Sequence, residues 1–105
     1  MQSIKVEEKV YDEIPYRLRI KSYKGEYRNG LREGKGKIHY ENGDWYDGDW
    51  LNNNRHGEGT YYYHALQATY TGQWTDGLKN GNGIMELRSD SKIAGIWNED
   101  RLLYT

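Results

Sequence analysis

A short motif recurs in register along this chain, and that recurrence constrains the fold more than any other feature. Tyr23-x-Gly25-x-Tyr27-x-x-Gly30 returns as Tyr46-x-Gly48-x-Trp50-x-x-Asn53 and again as Tyr70-x-Gly72-x-Trp74-x-x-Gly77. A decayed copy follows as Ile93-x-Gly95-x-Trp97-x-x-Asp100, and the steps between copies are 23, 24 and 23 residues. The first three units each continue into a Gly-x-Gly pair: Gly34 and Gly36, Gly57 and Gly59, Gly81 and Gly83. The chain is a short array of structural repeats.

Within a unit the spacing is that of extended chain. Tyr23, Gly25 and Tyr27 lie two apart and share one face of a strand, with Lys24 and Glu26 on the other. Gly36, Ile38 and Tyr40 share a face in the same way, as do Gly59, Tyr61 and Tyr63, and Gly83, Met85 and Leu87. A helix is excluded, because each interior glycine would cost it about 1 kcal/mol. Asn42-Gly43, set between two alternating runs, is a hairpin signal whose central residues are expected at positive φ. The extra residue between His64 and Ala68 predicts a longer or bulged turn. Gly30 to Gly34 and Gly77 to Gly81 are expected as loops returning the chain to the next strand.

Mid-strand glycines weaken a strand unless something uses the space. Here a ring from the neighbouring strand is expected to lie on bare backbone, with Gly25, Gly48, Gly72 and Gly95, and Gly36, Gly59 and Gly83, as floors. Composition makes the same demand. Leu, Ile and Val together number only 17 of 105 residues and Phe is absent, so 11 Tyr and 4 Trp must supply the core. Each such ring can bury about 150–250 Å².

These units resemble the MORN repeat (membrane occupation and recognition nexus), matched from Tyr23 to Gly36, Tyr46 to Gly59 and Tyr70 to Gly83, with a remnant at Ile93 to Asp100. Tyr27 stands where the family has Trp, and Asn53 where it has Gly. The resemblance implies an all-β fold, an elongated and twisted antiparallel sheet of successive hairpins with an aromatic groove along one face. It also implies an adaptor or scaffold, with membrane association in some members. The repeat domain is expected over 21–104. Residues 1–20 form a non-repeat segment in which a strand near 16–21 would cover the first sheet edge.

No catalytic grouping emerges. His39 falls on the polar strand face, and His56 and His64 are expected in turns. Asp44, Asp47 and Asp49 lack the ligand order of a calcium loop and are expected as a solvated face. The Gly-x-Gly pairs lack the lysine and helix of a phosphate cradle. The chain is therefore expected to be a non-enzyme with no cofactor and no metal. A net charge of -1 gives no global attraction for nucleic acid. The N-terminus has no apolar run of a secretory signal, and the expected location is cytoplasmic, with cytoskeletal or membrane association as alternatives.

The favoured function is protein interaction. Tyr23, Tyr27, Ile38, Tyr40, Tyr46, Trp50, Tyr61, Tyr63, Tyr70 and Trp74 would line a groove partly open to solvent, receiving an amphipathic helix or an extended peptide. The competing possibility is that these rings close on one another as core. The alternative function places Arg32, Arg55 and Lys79, at equivalent positions of three units, along a rim that meets anionic phospholipid. Self-association through the sheet edges is a further expectation.

Overall fold

The computed structural model describes residues 19–105, and within them the chain is strand and turn throughout. Eight strands run β1 (Ile20–Arg28), β2 (Leu31–Tyr40), β3 (Trp45–Leu51), β4 (Asn54–Tyr63), β5 (Ala68–Thr75), β6 (Leu78–Glu86), β7 (Lys92–Asn98) and β8 (Arg101–Tyr104). They form one antiparallel sheet in sequence order, an open meander of hairpins measuring 53 × 28 × 23 Å. The expected all-β architecture is the observed one. Residues 16–18 of the strand expected at 16–21 lie outside the described residues, and its last positions, Ile20 and Lys21, open β1 itself.

The glycines line up across the sheet. Gly25 pairs with Gly36, Gly36 with Gly48, Gly48 with Gly59, Gly59 with Gly72, Gly72 with Gly83, and Gly83 with Gly95. A Cβ at Gly59 would fall inside the Tyr46 phenol, and one at Gly48 would strike the Gly59 backbone. The ring-on-backbone packing expected from the sequence is therefore present, and glycine is the only residue that permits it at these two positions. The phenols that cover the row are pinned by hydroxyl hydrogen bonds three residues ahead. Tyr23 donates to the Glu26 carbonyl at 2.8 Å, Tyr46 to Asp49 at 2.9 Å and Tyr70 to Gln73 at 3.0 Å.

Beyond the glycine row each Tyr-bearing strand slips against the strand that follows it. Gly48 pairs with Gly59 but Trp50 with Arg55, so β4 carries two extra residues there, and β2 and β6 do the same. The bend uses Gly34, Gly57 and Gly81, all at positive φ. It costs a ladder hydrogen bond, which a side chain replaces. The N–H of Lys35 donates to Glu26 Oε2 at 2.7 Å, that of Glu58 to Asp49 Oδ2 at 2.9 Å, and that of Asn82 to Gln73 Oε1 at 2.7 Å.

The turns differ from the sequence-based expectation. Asn29-Gly30, Asn52-Asn53, Asp76-Gly77 and Glu99-Asp100 all have both central residues at positive φ, and they make the tight two-residue hairpins. Residues 31–34 and 78–81, expected as loop, are consequently strand. At Asn42-Gly43 only Gly43 has positive φ, because the Asn42 side chain accepts the Asp44 N–H at 2.9 Å and closes a longer loop over 41–44. The turn after Tyr63 is no longer than this one, since the extra residue extends the ladder to Tyr63↔Ala68.

Candidate interaction surface

Rings cover one face of the sheet in an alternating chain. Trp50 meets Tyr23 and Tyr46 edge-on, at centroid distances of 5.6 and 5.2 Å. Trp74 does the same with Tyr46 and Tyr70, at 5.2 and 5.3 Å, and Trp97 closes the row on Tyr70. The Trp50 indole N–H reaches the Gly36 carbonyl at 2.9 Å and that of Trp74 the Gly59 carbonyl at 3.1 Å. Each edge-to-face pair contributes about 0.5–1.5 kcal/mol beyond its buried area.

This packing closes the surface that was expected to stand open. Ile38, Tyr40, Tyr46, Trp50, Tyr61, Tyr70 and Trp74 are all buried, Tyr23 and Tyr63 are half-buried, and only Tyr27 is well exposed, at 60%. The aromatic face is a core over most of its length. The physical reason is the register shift at the bend after the glycine row, beyond which Arg32, Arg55 and Lys79 of β2, β4 and β6 lay their side chains over the rings.

That bend also decides the fate of the three cations. Arg32, Arg55 and Lys79 occupy equivalent positions as expected, but they sit in strands and their charged groups turn inward over the rings. The Arg55 guanidinium lies 5.1 Å from the Trp74 ring centre and 5.2 Å from Tyr61. It donates to the Tyr40 hydroxyl at 2.8 Å and to the Gly77 carbonyl at 2.7 Å. Arg32 lies 4.8 Å from Trp50 and donates to the Asn53 carbonyl at 3.0 Å. Lys79 is buried, with its Nζ 2.7 Å from the Tyr63 hydroxyl. The Nε groups of Arg32 and Arg55 are buried without a hydrogen-bond partner, and the ring faces beneath them supply the compensation. A rim of cations presented to lipid is therefore not what these residues form; they cap the aromatic core.

Two further residues depart from expectation. Asp44 is buried rather than solvated, accepting the Tyr61 hydroxyl at 2.7 Å and the His64 N–H at 2.8 Å, which ties one hairpin loop to the next. His56 lies in β4 rather than in a turn. Burial pushes the Tyr70 hydroxyl up to about 12 and raises those of Tyr46 and Tyr61 further, with Asp44 adding to the effect at Tyr61. Burial opposes the Asp49 charge, yet its hydrogen bonds to Lys35 and to the Glu58 N–H outweigh this and hold its pKa below the usual value.

The opposite face is the accessible one. Lys37 lies 4.5 Å from the Trp45 ring, which stacks on Tyr62 at 5.7 Å. Towards the C-terminal strands the same face becomes apolar. Thr71, Ile84 and Ala94, in one cross-strand row, and Ile96 and Tyr104, in the next, flank an open trough of about 510 Å³ floored by Gly72, Gly83 and Gly95. Ile84 is 47% exposed and Tyr104 63%. Sequence reasoning missed this trough, although the polar positions of the first two units turning to Ile84, Ala94 and Ile96 in the last two were its signal. Among the described residues no His, Cys, Asp or Glu group is arranged to hold a metal ion.

The sequence model of the MORN repeat matches residues 23–45, 46–64 and 70–92. The chain belongs to the MORN repeat family. MORN repeat-containing protein 3 of Xenopus laevis is 38% identical over 78 residues, which is 69% of this chain and 32% of the frog protein. Alsin from Rattus norvegicus and from Homo sapiens is 29% identical over 83 residues, or 74% of this chain and 5% of alsin. The chain thus spans about a third, or far less, of these relatives. MORN repeats serve in protein or membrane interaction and are in general non-catalytic. In this MORN array Tyr46, Trp50, Tyr70 and Trp74, at the family's Tyr and Trp positions, are buried rings, and Asn53, in place of Gly, uses its side chain to accept the Arg32 N–H at 2.8 Å.

Proposed function

We propose that this MORN array is a non-catalytic protein-interaction module, and that its partner presents an amphipathic helix to the trough on the face opposite the rings. The observation that carries this is the apolar lining of exposed Ile84, Ala94 and Tyr104 and half-buried Ile96, opposite rings that are buried from Tyr46 to Trp97. The trough crosses the strands, so the side chains along each flank recur from strand to strand every 4.7–4.9 Å or so. That is close to the roughly 5.4 Å rise of a helical turn, so anchors at i and i+4 can seat over successive strands. An extended peptide would instead seek a sheet edge.

Affinity capture with the unaltered chain and with Ile84→Arg checks this. A partner lost from the Ile84→Arg sample is then cut to its helical segment and titrated calorimetrically against both. The helix binds the unaltered chain and loses at least tenfold in affinity for Ile84→Arg, a loss of about 1.4 kcal/mol or more. Partners retained equally by both chains overturn the assignment of the trough.

A further inference from the structure

Among the described residues, β1 pairs on one side only, with β2. Inside the array the equivalent strand, β3, uses its corresponding edge for regular pairing with β2: Lys35 opposite Asp49, Gly36 opposite Gly48 and Lys37 opposite Asp47. The slip of register lies on the other side of such strands, so the outer edge of β1 is a straight ladder of donors and acceptors. Along that edge runs Tyr23-Lys24-Gly25-Glu26-Tyr27. Under antiparallel pairing centred on Gly25 this pentapeptide is its own complement.

We propose that β1 pairs with β1 of a second copy of this chain, about a two-fold axis through Gly25, joining two arrays into one sheet. Three observations converge on this occupant. Lys24 falls opposite the partner's Glu26, and Glu26 opposite the partner's Lys24, giving two opposite-charge cross-strand pairs on the accessible face. Glu26 keeps Oε2 on the Lys35 N–H, which leaves Oε1 for the ammonium. Gly25 falls opposite the partner's Gly25, so the glycine-on-glycine pairing that runs from β1 to β7 continues across the new boundary. Tyr27 falls opposite the partner's Tyr23, covering a ring that is 60% exposed where Trp50 and Trp74, its counterparts, are 4% and 3%. The contact is isologous, so it closes at two copies and does not propagate. It is also of a kind that an edge strand without a charge on its inner face invites.

Sedimentation velocity over a concentration series tests this on the full chain. Dimer is expected at micromolar concentration. Lys24→Glu sets Glu against Glu twice and weakens dimerisation by roughly 10- to 100-fold, with an unchanged thermal midpoint at dilution. Glu26→Lys sets Lys against Lys and weakens dimerisation as strongly, but it also lowers the thermal midpoint, because it removes the acceptor of the Lys35 N–H. An equimolar mixture of the two variants restores a dimer, because each Glu again meets a Lys. Glu26→Gln keeps the bond to the Lys35 N–H, as Gln73 does for Asn82 in its own unit, and weakens dimerisation less. A chain that stays monomeric at all concentrations overturns the proposal, as it would if residues 1–18 took the same edge. A dimer indifferent to Lys24→Glu, or a mixture that fails to restore it, also overturns it.

Discussion

Tyr27 and Trp74 stand at the same place in their repeats and make the same kind of edge-on contact with the tyrosine four residues back, yet one is 60% exposed and the other 3%. The difference lies in what precedes them. Trp74 has a unit before it, whose Tyr46 meets its edge, whose Arg55 covers its face and whose Gly59 carbonyl receives its N–H. Tyr27 has no described unit before it. In a one-layer array a residue's burial is thus the property of its neighbouring unit as much as of its own motif.

Truncation sharpens that contrast most. Trp74→Ala should cost about 3–5 kcal/mol in a denaturant titration, whereas Tyr27→Ala in the monomer should cost about 1 kcal/mol or less. Equal losses would mean that the two positions contribute alike and would break the comparison. The glycine row gives the next largest effect. Gly59→Ala should cost about 3 kcal/mol, because the Tyr46 ring above it is buried and held by its hydroxyl. Gly36→Ala should cost less, since half-buried Tyr23 has room to swing aside. The cations follow. Arg55→Met, which removes two hydrogen bonds and a contact with three rings, should cost about 1–2 kcal/mol, and Arg32→Met less.

Alkaline titration is the mildest probe. The unfolded tyrosines ionise near 10. Burial raises the folded values of Tyr46, Tyr61 and Tyr70, the last to about 12. Stability should therefore hold up to about pH 10 and fall as the pH climbs towards 12, because the unfolded chain sheds protons that the folded one keeps. Absorbance at the phenolate band, followed with tryptophan fluorescence, should show the interior rings ionising together with unfolding. Early ionisation of every tyrosine in the folded state would contradict the sealed core.

Much of this was legible in the sequence. The period of the repeat, the two-residue alternation and the mid-strand glycines together specify a meander with rings over a glycine row. The closure of that face was not legible. Gly30, Gly34, Gly77 and Gly81 look like loop residues, yet they are one tight turn and one strand bend in each unit, and it is the bend that carries Arg32, Arg55 and Lys79 over the rings. The acceptors at the bend escaped notice for another reason. Glu26, Asp49 and Gln73 are three different residue types that share only a side-chain oxygen at a common reach. Asp44 looked solvated because its two donors, Tyr61 and His64, come from the following unit.

The tight two-residue turns all lie along one flank of the sheet, and the loops 41–44, 64–67 and 87–91 all lie along the other. On the border away from the cations and the bends, Asp44 ties the loops 41–44 and 64–67 together, which leaves 87–91 as the loop freest to vary in length. Peptide tags or recognition loops grafted there, most simply at Ser89-Asp90, would hang like tassels from a single hem and leave the woven part untouched. The opposite border is less free, because Asn53, Gly77 and Asp100 in its turns each bond to a strand of the unit before.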